Sequence, residues 1–148
     1  MGKTKIMICG SMHFAKKMLQ VKKKLEKLGY KVKIPCDTQK FVDDPNYSTD
    51  NHEINYKHCL KYDIMKTDMK SVVESDAILV LNYPKYKIDG YIGASALMEI
   101  GLAYYHGKKI FLLYPPPELK KARHTYEITI MQPYILEGDL KNIKKNCN

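Results

Sequence analysis

An α/β fold built on a mostly parallel sheet is the fold class this sequence predicts, on three observations. Short apolar runs recur along the chain and close at glycine, asparagine or proline. Between them lie longer segments whose apolar residues return every three or four positions, as on a helix face. The short runs are apolar throughout rather than alternating, which is the mark of strands covered on both sides.

The elements follow in order. "KIMIC", Lys5 to Cys9, reads as a first buried strand closed by Gly10. Residues 12–28 read as a helix, with Phe14, Met18, Val21, Leu25 and Leu28 on one face, lysines on the other and Gly29 at its end. "YKVKIP" is a second strand, stopped by Pro35. Residues 36–55 are polar, and read as a long surface loop of the kind that serves as a lid. Residues 56–74 predict one helix through Leu60, Ile64, Met65, Met69 and Val72, and residues 75–82, "SDAILVLN", a third strand. A helix follows from about Ala94 to His106, then the strand "KKIFLLYP". In "YEITIMQPYIL" a short strand or a helix precedes a turn at Pro133. With 148 residues and 45% hydrophobic content, the chain suits one domain, 1–148, with its own core.

Composition narrows the partners. Lys and Arg number 25 against 16 Asp and Glu, a formal charge of +9, which favours an anionic substrate or partner. The lysines are dispersed and Arg123 is the single arginine, so a phosphate-bearing small molecule fits better than nucleic acid. No apolar run is long enough to span a membrane. Cys9, Cys36, Cys59 and Cys147 form no CxxC pair, and His52, His58, His106 and His124 have no ligand spacing, so neither a metal site nor a cofactor is expected. Reduced thiols and the absence of a leader-like start point to the cytoplasm.

Parallel sheets bind ligands at the carboxyl ends of their strands. In "CGSMHF" that rule selects Gly10, for close backbone approach, and Ser11, for its hydroxyl, with His13, Lys16 and Lys17 as nearby positive charge. The competing reading of Ser11 is an ordinary helix cap. In "DGYIGASALMEIG" it selects Asp89, Gly93 and Ser95 ahead of Glu99. Glu99 lies among Leu97, Met98, Ile100 and Leu102 in the early turns of its helix. It is either a solvent-facing helical residue or a nucleophile, whose ionised form the helix N-terminus favours while apolar neighbours strip its water and tend to raise its pKa. Asn82 stands just past the third strand. Asp68 and Asp76 read on pattern alone as surface or capping carboxylates, and Tyr83, Tyr86 and Tyr91 as rings that stack on a base or cover a dimer surface.

The segments "KIMICGS", "DMKSVVESDAILVLN" and "GASALMEIGLAYYHGKKIFLL" together resemble the nucleoside 2-deoxyribosyltransferase-like family, which includes the 2′-deoxynucleoside 5′-phosphate N-hydrolases. The resemblance runs over roughly residues 5–114. It implies a small flavodoxin-like or Rossmann-like three-layer domain, assembled as a dimer or larger homo-oligomer, that cleaves the N-glycosidic bond of nucleosides or their 5′-monophosphates. It places the family's glutamate nucleophile on Glu99, its leaving-group aspartate on Asp68 and its Gly-Ser loop on Gly10 and Ser11. Gly93 departs from the pattern: six residues before the glutamate, the transferases carry an aspartate and the hydrolases a serine. The "SMHF" loop departs too, from the Arg-Gly-Gly loop common in the hydrolases. The resulting expectation is a nucleotide N-hydrolase. A base-exchanging transferase and a non-catalytic nucleotide-binding module are the alternatives.

Overall fold

The computed structural model describes residues 2–147. Five strands form one sheet: β1 (Lys5–Cys9), β2 (Lys31–Lys33), β3 (Ala77–Val80), β4 (Lys109–Leu112) and β5 (Tyr134–Ile135), in the order β2-β1-β3-β4-β5. Every neighbouring pair of strands is parallel, as the unbroken apolar runs require.

Alternation along the strands divides the core into two layers. Ile6 and Ile8 of β1, with Leu79, Leu81, Phe111 and Leu113, face α1 (Ala15–Lys27) through Met18, Val21 and Leu25. Met7 and Cys9, with Ile78, Val80, Ile110 and Leu112, face the other way. There they meet Val72, Ile128 and the helix expected near Ala94, which packs through Ala96, Ile100 and Ala103. A fully buried Ile or Leu contributes about 1.5–3 kcal/mol, so these two layers supply most of the favourable energy of folding.

Helix α1 is preceded by one 3-10 turn, Met12–Phe14, and Ser11 Oγ caps it by accepting the His13 N–H at 3.2 Å. The polar stretch 36–55 is not the bare loop that its composition suggests. It holds α2 (Thr38–Asp43) and the start of the next helix. Tyr47, 3% exposed, anchors it by packing edge-on against Phe41 and His58.

The single helix expected over 56–74 is two, α3 (His52–Tyr62) and α4 (Ile64–Val73), separated by Asp63 at φ +50°. The Asp63 N–H closes α3 on the Cys59 carbonyl, and its own carbonyl accepts the Thr67 N–H to open α4. Aspartate tolerates the left-handed conformation better than most residues, so the break falls there without a glycine. Helix α5 (Ala94–Tyr105) matches expectation. The carboxyl-terminal segment is helix and strand in succession: α6 (Thr125–Ile130), a turn, then β5. A 3-10 segment, Leu140–Asn146, closes the chain on the α1 side, where Ile143 joins that core.

Candidate active site

The strand order reverses direction between β1 and β3, and a cleft of about 340 Å³ opens beside their carboxyl ends. Gly10 leaves β1 at φ +150°, and a Cβ there would lie 3.1 Å from the Leu81 carbonyl oxygen, so the close passage of the two chains favours glycine. Gly10, Ser11, Asp68, Gly93, Ser95 and Glu99, all selected from the sequence, line this one cleft.

Glu99 shares the buried face of α5 with Ala96, Ile100 and Ala103. It is 8% exposed, which excludes a solvent-facing role. Its place is the second turn of α5, beyond the reach of the helix N-terminus, whose influence fades within one turn. Burial therefore outweighs the dipole. Desolvation first, then the Asp68 carboxylate, push Glu99 up to about 7, against a hydrogen bond from Cys9 that favours the anion. The Cys9 thiol, fully buried on the same side of the sheet, donates to Glu99 Oε2 at 3.5 Å.

Asp68 approaches from α4. Its Oδ1 accepts the Cys36 N–H at 2.9 Å, which ties α4 to the segment leaving β2. Burial raises the Asp68 carboxyl, and the Cys36 backbone and thiol donors partly offset that rise. Asp37 stands beside it, 6% exposed and with no partner for Oδ1. One ligand atom from each of Cys36, Asp37 and Asp68 lies within 4.8 Å of the others.

A cation enters the cleft from an unexpected source. Lys85 Nζ donates to Ser11 Oγ at 2.9 Å and lies 4.9 and 5.5 Å from the ring centroids of Tyr86 and Tyr91. A tight turn through Tyr86 and Lys87, both at positive φ, holds it there, with Lys85 and Ile88 exchanging backbone hydrogen bonds. Left-handed backbone at two non-glycine residues costs about 1–2 kcal/mol each, a strain that the surrounding contacts must offset. The amino end of α5 forms the wall nearby. Gly93, its cap residue, makes no side-chain capping bond, and the first intrahelical bond runs from Leu97 N–H to the Gly93 carbonyl. The Ala94, Ser95 and Ala96 amides are thus left without intrahelical partners.

Other expected site residues lie elsewhere. His13, Lys16 and Lys17 are exposed on the opening turns beyond β1 and line no part of the cleft. Lys17 sits over the Tyr83 ring, 4.4 Å from its centroid. Asp89 is exposed and lines a separate hollow with Tyr83, Gly90 and Tyr114. Asn82 is fully buried, and its amide is spent on the backbone: Nδ2 donates to the Tyr114 carbonyl at 2.7 Å and Oδ1 accepts the Tyr114 N–H at 2.9 Å. It joins the ends of β3 and β4 rather than facing the cleft. Asp76 accepts the Lys5 N–H at 2.8 Å, so instead of capping its own segment it ties the start of β3 to the start of β1, 71 positions away.

Sequence reasoning does not single out Lys85, Asp37 or the Cys9 contact. Lys85 has no signal, because Tyr-Lys is not a turn sequence of the Asn-Gly kind. Cys9 has one: as the residue two after Met7, it must share Met7's side of the sheet, where α5 packs.

No protein-family model and no curated protein matches the sequence. Solved structures do match the fold. The 2-deoxyribosyltransferase of the psychrotolerant bacterium Bacillus psychrosaccharolyticus superposes with a TM-score of 0.51 at 19% identity, over 78% of this chain and 75% of that one. A 2-desoxiribosyltransferase from Leishmania mexicana gives 0.50 at 17% identity, over 80% and 70%. The molybdenum cofactor binding protein of the phototrophic bacterium Rippkaea orientalis gives 0.54 at 17% identity, over 100% and 99%. The chain thus has the parallel α/β fold of the 2-deoxyribosyltransferases that its motifs resemble, a fold also used by a cofactor-binding protein.

Proposed function

We propose that this cleft hydrolyses the base–sugar bond of nucleoside or deoxynucleoside 5′-monophosphates, with Glu99 as nucleophile. The observation that carries the reading is the placement of Glu99. It is a carboxylate on an otherwise apolar helix face, buried and held near neutrality, at the wall of a cleft that also contains Asp68 and Lys85.

In this reading the sugar lies over Gly10 and Gly93, where backbone permits close approach. Glu99 attacks C1′ as the base departs through an oxocarbenium-like state. In this reading the buried Glu99–Asp68 pair shares one proton, and in the reactive form it sits on Asp68, which donates it to the leaving base and becomes the carboxylate. Water then attacks C1′, Asp68 takes back a proton, and Glu99 leaves as the carboxylate, so two inversions give net retention. The 5′-phosphate is bound by Lys85 Nζ, the Ser11 hydroxyl and the open amides of α5. The remaining substrate-binding positions, His13, Lys16, Asn82 and Asp89, stay outside the direct contacts.

A base-exchanging transferase is the second reading, and one feature favours it. Phe41, Ile64, Met65, Met69 and Met98 give the cleft an apolar wall, suited to holding a second base while excluding water from the ester. The functional unit in either reading is a homodimer in the cytoplasm, where the four cysteines remain unpaired. Helix α3 buries none of its residues, and Ile54, Leu60, Met65 and Met98 stay between 42% and 65% exposed. No helix among the described residues is long and apolar enough to cross a membrane.

The deciding experiment measures base release chromatographically from each nucleoside and deoxynucleoside, with and without a 5′-phosphate, with and without a second free base, beside Glu99→Ala. Free base from a monophosphate, lost in the variant, supports the hydrolase. A new nucleoside formed only when acceptor base is present replaces it with the transferase. Silence from folded protein across the panel overturns both, in favour of a module that binds nucleotides without turnover.

A further inference from the structure

We infer that Cys36, Asp37 and Asp68 form a binding site for a thiophilic divalent cation of the zinc type at the rim of the cleft. Sequence spacing conceals it, because a dipeptide after β2 and a residue of α4, 32 positions from Cys36, supply the ligands. The 2.9 Å bond from the Cys36 N–H to Asp68 Oδ1 fixes these two segments together before any ion binds. Ligand atoms within 4.8 Å of one another need only small side-chain rotations to reach a common ion, since zinc bonds to sulfur are about 2.3 Å and to carboxylate oxygen about 2.0–2.2 Å.

Proximity of acidic groups alone proves little. The independent observation is Asp37. It is 6% exposed, and its Oδ1 has no hydrogen-bond partner. A carboxylate oxygen left buried without a donor is costly, and native structures rarely tolerate one without an ion or other partner. On α3, His58 Nε2 is also buried without a partner. Lys40 is a cation near Asp37. A buried carboxylate oxygen without a donor, beside a thiol and a second carboxylate, is what a bound cation would satisfy.

The donor set selects the ion. One thiolate with two carboxylates suits zinc or cobalt, whereas magnesium and calcium take oxygen ligands alone. Binding exchanges the Cys36 thiol proton for the metal: the S–H bond breaks, the S–metal bond forms, and the proton goes to solvent. Asp37 and Asp68 line the cleft, so the fourth position opens toward its contents. A bound ion would occupy Asp68 and so remove the group assigned to the leaving base, making the metal an inhibitor of the proposed reaction.

The test is titration of the full reduced chain with cobalt(II), which needs no turnover and so stands apart from the hydrolase reading. A near-ultraviolet sulfur-to-cobalt band should appear, saturate at one ion per chain and be displaced by zinc. Cys36→Ser should abolish it, Cys59→Ser should keep it, and Asp37→Asn should weaken cobalt binding by at least about tenfold. No band in the wild-type chain, or a band that survives Cys36→Ser, overturns the site. A clear band on cobalt titration of a chain that releases no base when assayed free of metal would remove the hydrolase and leave the cation site standing.

Discussion

The Cys9 thiol, fully buried, lies 3.5 Å from Glu99 Oε2 and donates to it, so the last residue of β1 touches the carboxylate proposed to attack the sugar. A donor to the anion favours ionisation and opposes the desolvation that pushes Glu99 up to about 7. Cys9→Ala should therefore move the acid limb of the pH–kcat/KM profile to higher pH, because the nucleophile must be deprotonated to act. Cys9→Ser, which keeps a donor, should return the limb toward its original position. An unchanged limb in Cys9→Ala would show that the thiol only fills space.

Glu99→Gln should lower turnover by at least about a thousandfold, since it removes the proposed nucleophile with almost no change of shape. It should also stabilise the fold above neutral pH. Folding raises the Glu99 carboxyl from about 4.5 to about 7, so between those values the folded state holds the proton more tightly than the unfolded chain. The contribution of Glu99 to stability is present at pH 4 and lost as pH rises through 7. The neutral amide introduced by Glu99→Gln avoids that loss, by roughly 2–3 kcal/mol at pH 8 and by little at pH 4. Urea unfolding at the two pH values measures the difference. Equal effects at both would place the Glu99 carboxyl near its ordinary value.

Sequence legibility follows the physics of each element. The strands and α5 can be read because burial on both faces forces continuous apolar runs, as in Ala77–Val80. The break at Asp63 cannot, because the apolar spacing continues through Leu60, Ile64 and Met65 although Leu60 and Met65 are more than half exposed. Glu99 stands out as a charge in an apolar run, and those apolar neighbours already point to the desolvation that raises its carboxyl; only the weight of the helix N-terminus is misjudged. The helix N-terminus is expected to hold it ionised, whereas its second-turn position leaves desolvation in control. Asn82 is legible as a strand-end residue but not in its aim, since only the fold reveals that Tyr114 claims both ends of its amide. Lys85 and the Cys36–Asp37–Asp68 group depend on long-range juxtaposition, which leaves no local trace.

Lys85→Ala should separate phosphorylated from free substrates. Charge-assisted hydrogen bonds contribute about 1.5–3 kcal/mol, so kcat/KM for a 5′-monophosphate should fall about 10–100-fold. The corresponding nucleoside should change by less than about twofold, within ordinary variation for a contact it does not make. Equal losses on both substrates would assign Lys85 to holding Ser11 and the Tyr86 turn instead.

The exposed apolar residues of α3, α4 and α5 predict a dimer in solution. Light scattering should give twice the chain mass, and Leu60→Lys, which sets a charge on a 65% exposed position, should yield monomers that remain folded by circular dichroism. A wild-type monomer at micromolar concentration would end the dimer proposal.

Asn82→Ala tests whether this residue joins the strands or contacts substrate. The side chain links the end of β3 to both polar groups of Tyr114, and its Nδ2 also lies 3.3 Å from the Pro115 carbonyl. Removing it leaves the part-buried Tyr114 backbone groups without this partner, at up to about 1–3 kcal/mol for each group left unsatisfied. The same loop is already constrained: a Cβ on Gly90 would fall 2.1 Å from the Pro115 carbonyl oxygen, so the chain has little room to settle around the gap. Asn82→Ala should therefore lower the urea midpoint, while KM for any substrate the folded fraction turns over changes little. A raised KM with an unchanged midpoint would return Asn82 to the substrate-binding surface and imply that the loop after β4 opens during the reaction.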